Sequence, residues 1–289
     1  MRFGLLGTGP WAATAHGPAL VAHPDADLVG VWGRRPEAAA SLAETLGTRA
    51  YADADELFAD VDAVAIALPP HIQAPLAVRA ARAGCHLLLD KPVATTVEAA
   101  REVAEAAERA GVASVVFFTL RFAAESAAWV EDQAAVEGWF TARADWLGSV
   151  FSSGDSPFAD SPWRRDKGAL WDVGPHALSV LLPILGDVTD LTAAPGPGDT
   201  VHLVLRHAGG ASSTAALSLT TPAPGSGVTV ELRGTAGVST LPDRTEGVIA
   251  AFRNAVDALA EAARTGKAHP CDARFGLRVT ELLASAESA

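Results

Sequence analysis

Short apolar runs alternate with alanine-rich segments of helical length over the first 120 residues of the chain. This alternation is typical of βαβ units, in which buried parallel strands appear as continuous apolar runs. It predicts strands at residues 2–6, 27–32, 63–67, 86–89 and 113–117. Helices are predicted near residues 11–21, 36–46, 72–83 and 97–110. Because strands and helices follow one another in turn, we expect a doubly wound parallel sheet of the Rossmann type.

The pattern changes after Arg121 to an alternation of apolar and polar residues. This alternation predicts a mostly antiparallel, open sheet with one solvated or helix-covered face. Its strands are expected at residues 136–147, 200–207, 212–220 and 228–233, and its helices at 172–185, 248–264 and 273–286. The sequence therefore predicts two domains, an α/β domain over residues 1–120 and an α+β domain over residues 121–289.

Composition excludes several classes of function. The net charge is −12 and no basic run occurs, which argues against a nucleic-acid partner. The two cysteines, Cys85 and Cys271, match neither a disulfide framework nor a metal-binding spacing. We therefore expect no metal site, and we expect the protein to lie in the reducing cytoplasm. No apolar run is expected to approach the roughly 20 residues that cross a bilayer, so no membrane partner is expected.

A glycine-rich segment, Gly7-Thr8-Gly9-Pro10-Trp11-Ala12, follows the first predicted strand and precedes a predicted helix. This is the context that a dinucleotide-binding fingerprint requires. The first glycine makes a tight turn, the second lets the backbone approach a pyrophosphate, and Ala12 takes the close-packing place of the third. The helix N-terminus would then face the phosphates. The segment predicts a nicotinamide dinucleotide site.

The end of the second predicted strand indicates which dinucleotide is preferred. NAD-binding proteins usually carry an acidic residue there, which accepts a hydrogen bond from the ribose 2′-hydroxyl. This chain has Gly33-Arg34-Arg35 instead. A guanidinium can clasp a 2′-phosphate that a carboxylate would repel, so the sequence favours NADP(H) over NAD(H). The alternative is that both arginines are simply the solvated start of a helix.

Two further segments carry candidate catalytic residues. Lys91 follows the fourth predicted strand, at the sheet edge where open α/β folds bind their ligands. Its alternative interpretation is a solvated loop lysine. Asp172 and His176 are four residues apart at the opening of a predicted helix, which would place both on one face.

In this order and at these separations, the motifs resemble the Gfo/Idh/MocA family over nearly the whole chain. The resemblance rests on four segments, which are Gly7-Thr8-Gly9, Ala67-Leu68-Pro69-Pro70-His71, Asp90-Lys91-Pro92 and the segment from Asp172 to His176. It implies a Rossmann domain followed by an open sheet that commonly forms dimers. It also adds Leu68, Pro69, Pro70 and Asp90 to the residues expected at the cofactor.

The resemblance implies a role for each candidate catalytic residue. Lys91 would contact nicotinamide and substrate, Asp172 would orient the substrate, and His176 would transfer the proton. An imidazole titrates in the range that alcohol oxidation needs. The expected activity is hydride transfer to or from a sugar, a polyol or a similar hydroxy or keto compound.

Some features leave alternatives open. Gln73 stands where the family often has histidine, and Ser179 where it often has aspartate. Trp163, Arg164 and Arg121 are weaker candidates for substrate contacts. A non-catalytic nucleotide-binding regulator remains possible. So does a lyase or glycosidase that retains its nicotinamide cofactor.

Overall fold

A computed structural model describes residues 1–154 and 156–289, and these form two compact units. The first unit comprises residues 1–123 and 246–280, and the second comprises residues 124–245 and 281–289. The domain division predicted from the sequence, 1–120 and 121–289, differs in one respect. It assigns residues 246–280 to the second domain, whereas these residues pack with the first unit.

The first unit contains a six-stranded sheet whose strand pairs are all parallel. Its strands are β1 (Arg2–Leu6), β2 (Asp27–Trp32), β3 (Arg49–Tyr51), β4 (Ala63–Ile66), β5 (His86–Asp90) and β6 (Ser114–Phe117). The strand order is β3-β2-β1-β4-β5-β6, so the winding reverses between β1 and β4. This order places a crevice at the carboxyl ends of β1 and β4, where such sheets bind ligands.

Helices connect the strands of this sheet. They are α1 (Gly17–Ala22), α2 (Pro36–Thr45), α3 (Ala54–Ala59), α4 (Pro70–Arg82) and α5 (Val97–Ala110). The cap residues of α5 explain its bounds. Thr96 accepts a hydrogen bond from the N–H of Ala99, and Gly111 ends the helix in the left-handed region. Strand β3 and helix α3, which are three and six residues long, were not predicted from the sequence.

The second unit contains a mixed sheet. Its strands are β7 (Trp139–Leu147), β8 (Val188–Pro195), β9 (Val201–His207), β10 (Ser212–Ser218), β11 (Gly227–Gly234) and β12 (Gly237–Thr240). They lie in the order β12-β11-β7-β10-β9-β8. All pairs are antiparallel except β10 with β7. The mostly antiparallel sheet predicted from the sequence is therefore confirmed, although β8 and β12 were not predicted.

The remaining helices are α6 (Ala124–Ala134), α7 (Pro162–Asp172), α8 (Gly174–Leu185), α9 (Val248–Thr265) and α10 (Ala273–Glu287). Together α7 and α8 form a stretch that, by length and composition, would pass for a membrane-spanning helix. This corrects the expectation that no apolar run is long enough. However, 83% of its most apolar window is buried, as in the core helix of a folded domain.

A π-helical turn, Ala12–His16, begins the helix that follows β1. His16 ends this turn and is completely buried. Its ring lies 4.1 Å from the Phe252 ring and 6.2 Å from the Phe117 ring, measured between centroids. Neither ring nitrogen has a hydrogen-bond partner among the described residues. Burial lowers the pKa of His16 to about 3, so the folded protein holds this imidazole neutral.

This buried histidine predicts a loss of stability in acid. The unfolded chain takes up a proton below about pH 6.5, whereas folded His16 does not until about pH 3. The free energy of unfolding should therefore fall as the pH drops through this window. Between about pH 7 and about pH 5, this one group should cost about 2 kcal/mol.

Urea titrations of the wild type and of His16→Phe at both pH values measure the effect. The variant should lose about 2 kcal/mol less than the wild type on acidification. The control is His202→Gln, which replaces an exposed histidine. Equal losses in the wild type and His16→Phe would contradict this assignment.

Candidate cofactor and active site

The turn after β1 can be made only by glycine at position 7. Gly7 adopts a φ of +125°, which residues with a side chain rarely tolerate. A Cβ at this position would lie 2.3 Å from the carbonyl oxygen of Ala67. The Gly7 N–H donates to the carbonyl oxygen of Trp32 at 2.8 Å. The turn is thus fixed between the ends of β2 and β4.

Gly9 differs from Gly7 because its surroundings are open. No heavy atom of the described residues lies within 4 Å of the position that a Cβ at Gly9 would take. Its φ is not positive, so its backbone conformation does not require glycine. Pro10 is exposed and Trp11 is half-buried, whereas Ala12 is completely buried. This arrangement fits a pyrophosphate that approaches the backbone at Gly9, with Ala12 packed beneath.

The segment after β4 lies against the same turn. Leu68 and Pro69 are half-buried, and Pro70 is buried at the first position of α4. The Leu68 Cγ would lie 3.4 Å from a Cβ at Gly7. The structure therefore brings the predicted cofactor residues after β1 and β4 together at the point where the sheet reverses its winding.

Arg34 and Arg35 follow β2 at the same edge of the sheet. Both are exposed, and neither has an ion-pair partner within residues 1–154 and 156–289. Arg35 immediately precedes α2 but makes no side-chain cap. Both guanidinium groups are thus available to an anionic ligand. Gly33, which is buried, has no side chain that could accept a hydrogen bond from a ribose 2′-hydroxyl.

The backbone around Lys91 is held by a buried glutamine whose role could not be predicted from the sequence. Gln73 is completely buried in α4. Its amide nitrogen donates to the carbonyl oxygens of Asp90, Pro92 and Val93 at 2.8, 3.2 and 3.2 Å. Its amide oxygen accepts from the N–H of Asp90 at 2.8 Å. Gln73 therefore fixes both sides of Lys91, whose peptide bond to Pro92 is cis.

Asp90 also shapes this loop. Its Oδ1 accepts a hydrogen bond from the backbone N–H of Lys91 at 2.8 Å. Asp90 and Lys91 are both half-buried at the carboxyl end of β5. Lys91 thus lies at the sheet edge that also carries the glycine-rich turn, as predicted from the sequence.

Asp172 and His176 lie in the second unit, in a geometry that differs from the prediction. They do not share one helix, since Asp172 is the last residue of α7 and His176 is the third residue of α8. Val173 joins the two helices, with φ −108° and ψ −19°. Both side chains are buried, at 6% and 9% exposure. A spacing of four residues fits one helix face, but the kink between α7 and α8 could not be foreseen from it.

Arg164 forms an ion pair with Asp172, with 3.0 Å between Nε and Oδ2. The side chains are only 18% and 8% exposed, so little water screens the pair. The guanidinium also lies over the rings of Phe158 and Trp163, at 4.9 and 4.7 Å from their centroids. Arg164 is thus committed to a protein carboxylate, which favours a role in orienting Asp172. Direct substrate contact by Arg164 or Trp163 stays a prediction.

His176 has a neighbour that the sequence did not reveal. The ring of Trp146, on β7, stacks on the imidazole with 4.7 Å between centroids and 12° between planes. Position 146 gives no motif signal, because the contact depends on how β7 and α8 pack. Arg121, a further candidate, lies instead in the first unit, where its charge acts on His269 and Cys271.

Comparison with protein families agrees with this geometry. A model described as an oxidoreductase family with an NAD-binding Rossmann fold matches residues 1–118. The model of the GFO/IDH/MocA C-terminal domain matches residues 141–240. The chain belongs to the Gfo/Idh/MocA family. The family resemblance and the fold class predicted from the sequence are therefore confirmed.

Curated members of the Gfo/Idh/MocA family show moderate similarity to this chain. A dTDP-3,4-didehydro-2,6-dideoxy-alpha-D-glucose 3-reductase of Streptomyces violaceoruber is 33% identical over 207 residues, which span 70% of this chain and 59% of that protein. A D-glucoside 3-dehydrogenase of Escherichia coli is 30% identical over 193 residues, which span 64% and 54%. The chain thus matches less than two thirds of the length of these relatives.

Among solved structures, an oxidoreductase domain protein from Kribbella flavida superposes with a TM-score of 0.88. The two chains are 24% identical, and the superposition covers 99% of this chain and 96% of that one. At this identity the likeness concerns the fold, and it extends over both Gfo/Idh/MocA domains.

Alanine substitutions of Gly7 and Gly9 form a matched pair of variants. Gly7→Ala should lower the free energy of unfolding by about 2 kcal/mol or more, because it adds both a left-handed strain and a clash with Ala67. Gly9→Ala should change it by less than about 0.5 kcal/mol, since no heavy atom of the described residues lies within 4 Å of its Cβ.

Dinucleotide affinity gives a second test of Gly9→Ala. Gly9→Ala should weaken NADP binding at least about tenfold in a calorimetric titration, because its methyl group occupies the space where the pyrophosphate approaches. Gly9→Ala with unchanged stability and unchanged affinity would contradict the placement of the pyrophosphate at this turn.

Proposed function

We propose that this chain is an NADP(H)-preferring oxidoreductase that transfers a hydride to or from a sugar, a polyol or a similar hydroxy or keto compound. The proposed preference for NADP rests on the residues at the end of β2. There, two exposed arginines without ion-pair partners in the described structure follow a glycine in place of an acidic residue. A 2′-phosphate supplies the negative charge that this arrangement lacks.

Two observations support a nicotinamide dinucleotide as the cofactor. The family model that matches residues 1–118 describes an NAD-binding Rossmann fold. The turn at Gly7 and the open space at Gly9 lie at the switch point of the sheet, where this fold binds dinucleotides. Once bound, the nicotinamide ring accepts or donates the hydride.

The names of the relatives support a carbohydrate-like substrate. They include a 3-reductase of a nucleotide-linked deoxyhexose and a D-glucoside 3-dehydrogenase, both of which act on a sugar. We extend this substrate class to the present chain as part of the proposal.

His176, Asp172 and Lys91 have proposed roles in the reaction, and each has a neighbour that holds it in place. His176 takes the proton from the substrate hydroxyl in oxidation and returns it in reduction. Trp146 holds the plane of its imidazole, and Arg164 keeps Asp172 oriented toward a substrate hydroxyl. Lys91 stabilises the negative charge that develops on the substrate oxygen, and Gln73 fixes the backbone that carries it.

Calorimetry and turnover test this proposal together. NADP should bind at least about tenfold more tightly than NAD, as expected when guanidinium groups engage the 2′-phosphate. A panel of sugars and polyols should then include a substrate that reduces NADP, which raises the absorbance of the nicotinamide. Binding of neither dinucleotide, or equal binding of both, would contradict the cofactor assignment.

Variants test the catalytic residues on the same substrate. Lys91→Ala and His176→Ala should each lower kcat at least about 100-fold, because each removes a group that acts on the reacting oxygen. Exposed residues of the same type serve as controls, and Lys267→Ala and His202→Ala should keep the activity. Product formation without a net change in nicotinamide absorbance would instead favour a lyase or glycosidase that retains its cofactor.

We also propose a homodimer in the cytoplasm. The face of the second sheet that carries Val204 and Val238 is exposed, with relative exposures of 51% and 57% for these residues. Light scattering should therefore give the mass of two 29.6 kDa chains, and the mass of one chain at micromolar concentration would contradict the dimer.

The cysteines support the proposed location in the cytoplasm. Both are buried free thiols, which suits a reducing compartment.

A further inference from the structure

A cavity of about 350 Å³ lies at the amino edge of the first sheet, opposite the edge that carries the turn at Gly7. It is lined by His86 and Ser114, which begin β5 and β6, by the C-terminal ends of α5 and α9, and by the start of α10. All of its lining residues belong to the first unit, and none is assigned above to the cofactor or to catalysis. A volume of this size is typical of sites for small molecules.

Ser114 presents a hydrogen-bond donor to this cavity. It is 8% exposed, and its Oγ accepts a hydrogen bond from the N–H of Ala273 at 3.0 Å. The hydroxyl hydrogen of Ser114 has no acceptor among the described residues. A buried donor that lacks an acceptor costs free energy, so an acceptor atom inside the cavity would stabilise this side chain.

His86 supplies a second donor. Its Nδ1 accepts a hydrogen bond from the backbone N–H of Ala113 at 3.0 Å, which requires that Nδ1 carries no proton. Burial lowers the pKa of His86, and the charge of Asp62 opposes this shift only in part, so the ring is neutral at neutral pH. The proton therefore lies on Nε2, for which the described part of the chain provides no acceptor.

The charged side chains that line the cavity cancel one another. Arg274 forms an ion pair with Glu108. Asp272 accepts a hydrogen bond at Oδ1 from the N–H of Phe275 at 2.9 Å, and Lys267 is exposed. Two cations and two anions leave no net charge, so the cavity favours a ligand that is neutral overall.

The two helix ends and the wall between them restrict the ligand further. Gly111 and Gly266, the C-cap residues of α5 and α9, both line the cavity. The last carbonyl groups of a helix carry partial negative charge, so these ends favour a cationic group. The lining also includes four alanines of the same helices, which are Ala104, Ala107, Ala262 and Ala263. Their methyl groups form an apolar surface that suits a small aliphatic group.

We propose that this cavity binds a small aliphatic α-amino acid in its zwitterionic form. The carboxylate accepts hydrogen bonds from Ser114 and His86, the ammonium group faces the carbonyl ends of α5 and α9, and the side chain packs on the alanines. A zwitterion supplies an acceptor end and a cationic end without net charge. This site is separate from the proposed oxidoreductase activity and does not depend on it.

Calorimetric titration of the full chain with three matched probes tests the chemistry of the ligand. The probes are L-valine, 3-methylbutanoate, which lacks the amino group, and 2-methylpropylamine, which lacks the carboxylate. L-Valine should bind with a Kd of about 1 mM or lower, and each analogue at least about tenfold more weakly, because it leaves one end of the site without a partner. L-Alanine and L-leucine define the size of side chain that fits.

Two leucine variants on α9 test the location. Ala263 and Ala260 are both half-buried, but only Ala263 lines the cavity. Ala263→Leu should weaken L-valine at least about tenfold by filling the space, whereas Ala260→Leu should change its affinity less than about twofold. Thermal unfolding of both variants shows that they are folded.

His86 gives a readout in the wild type that needs no folded variant. With isotope-labelled histidine, the Nε2 resonance of His86, assigned through His86→Gln, should shift on addition of L-valine, and that of exposed His202 should not. The proposal is overturned if none of the three amino acids binds at about 20 mM, which would leave water alone in the cavity. It is also overturned if either analogue binds as tightly as L-valine, or if the resonance of His86 does not move.

Discussion

Gly7 joins three strands of the first sheet at one point. Its N–H donates to the end of β2, its positive φ turns the chain out of β1, and the Ala67 carbonyl oxygen after β4 leaves no room for a Cβ. Everything proposed at the cofactor site depends on this turn. It places the side chain of Thr8 close to Gly33 and leaves open space beside the backbone of Gly9. It also places the next helix at the switch point of the sheet.

The sequence was most informative where a local rule decides the structure. Strands such as β1 and β2 and the capped helix α5 appear at their predicted bounds, because apolar runs and caps are local signals. Strands β3 and β12, with three and four residues, are too short to show a period. The return of α9 to the first unit depends on tertiary packing alone.

The candidate site divides in the same way. Gly7, Gly9 and Lys91 could be placed at the carboxyl edge of the first sheet because motif and position agree. The contribution of Gln73 could not be predicted, since its four hydrogen bonds join α4 to the end of β5 and the loop after it, 17 to 20 residues away. The stacking of Trp146 on His176 likewise joins β7 to α8. Such contacts orient the groups that motifs identify, and they become visible only in three dimensions.

We propose that NADP lies across the turn at Gly7 with its 2′-phosphate at the end of β2. A crystal structure of the protein grown with NADP tests it most directly. We expect pyrophosphate density over the backbone of Gly9 and the 2′-phosphate within hydrogen-bond distance of a guanidinium of Arg34 or Arg35. A 2′-phosphate directed away from both arginines, or a dinucleotide bound elsewhere, would contradict it.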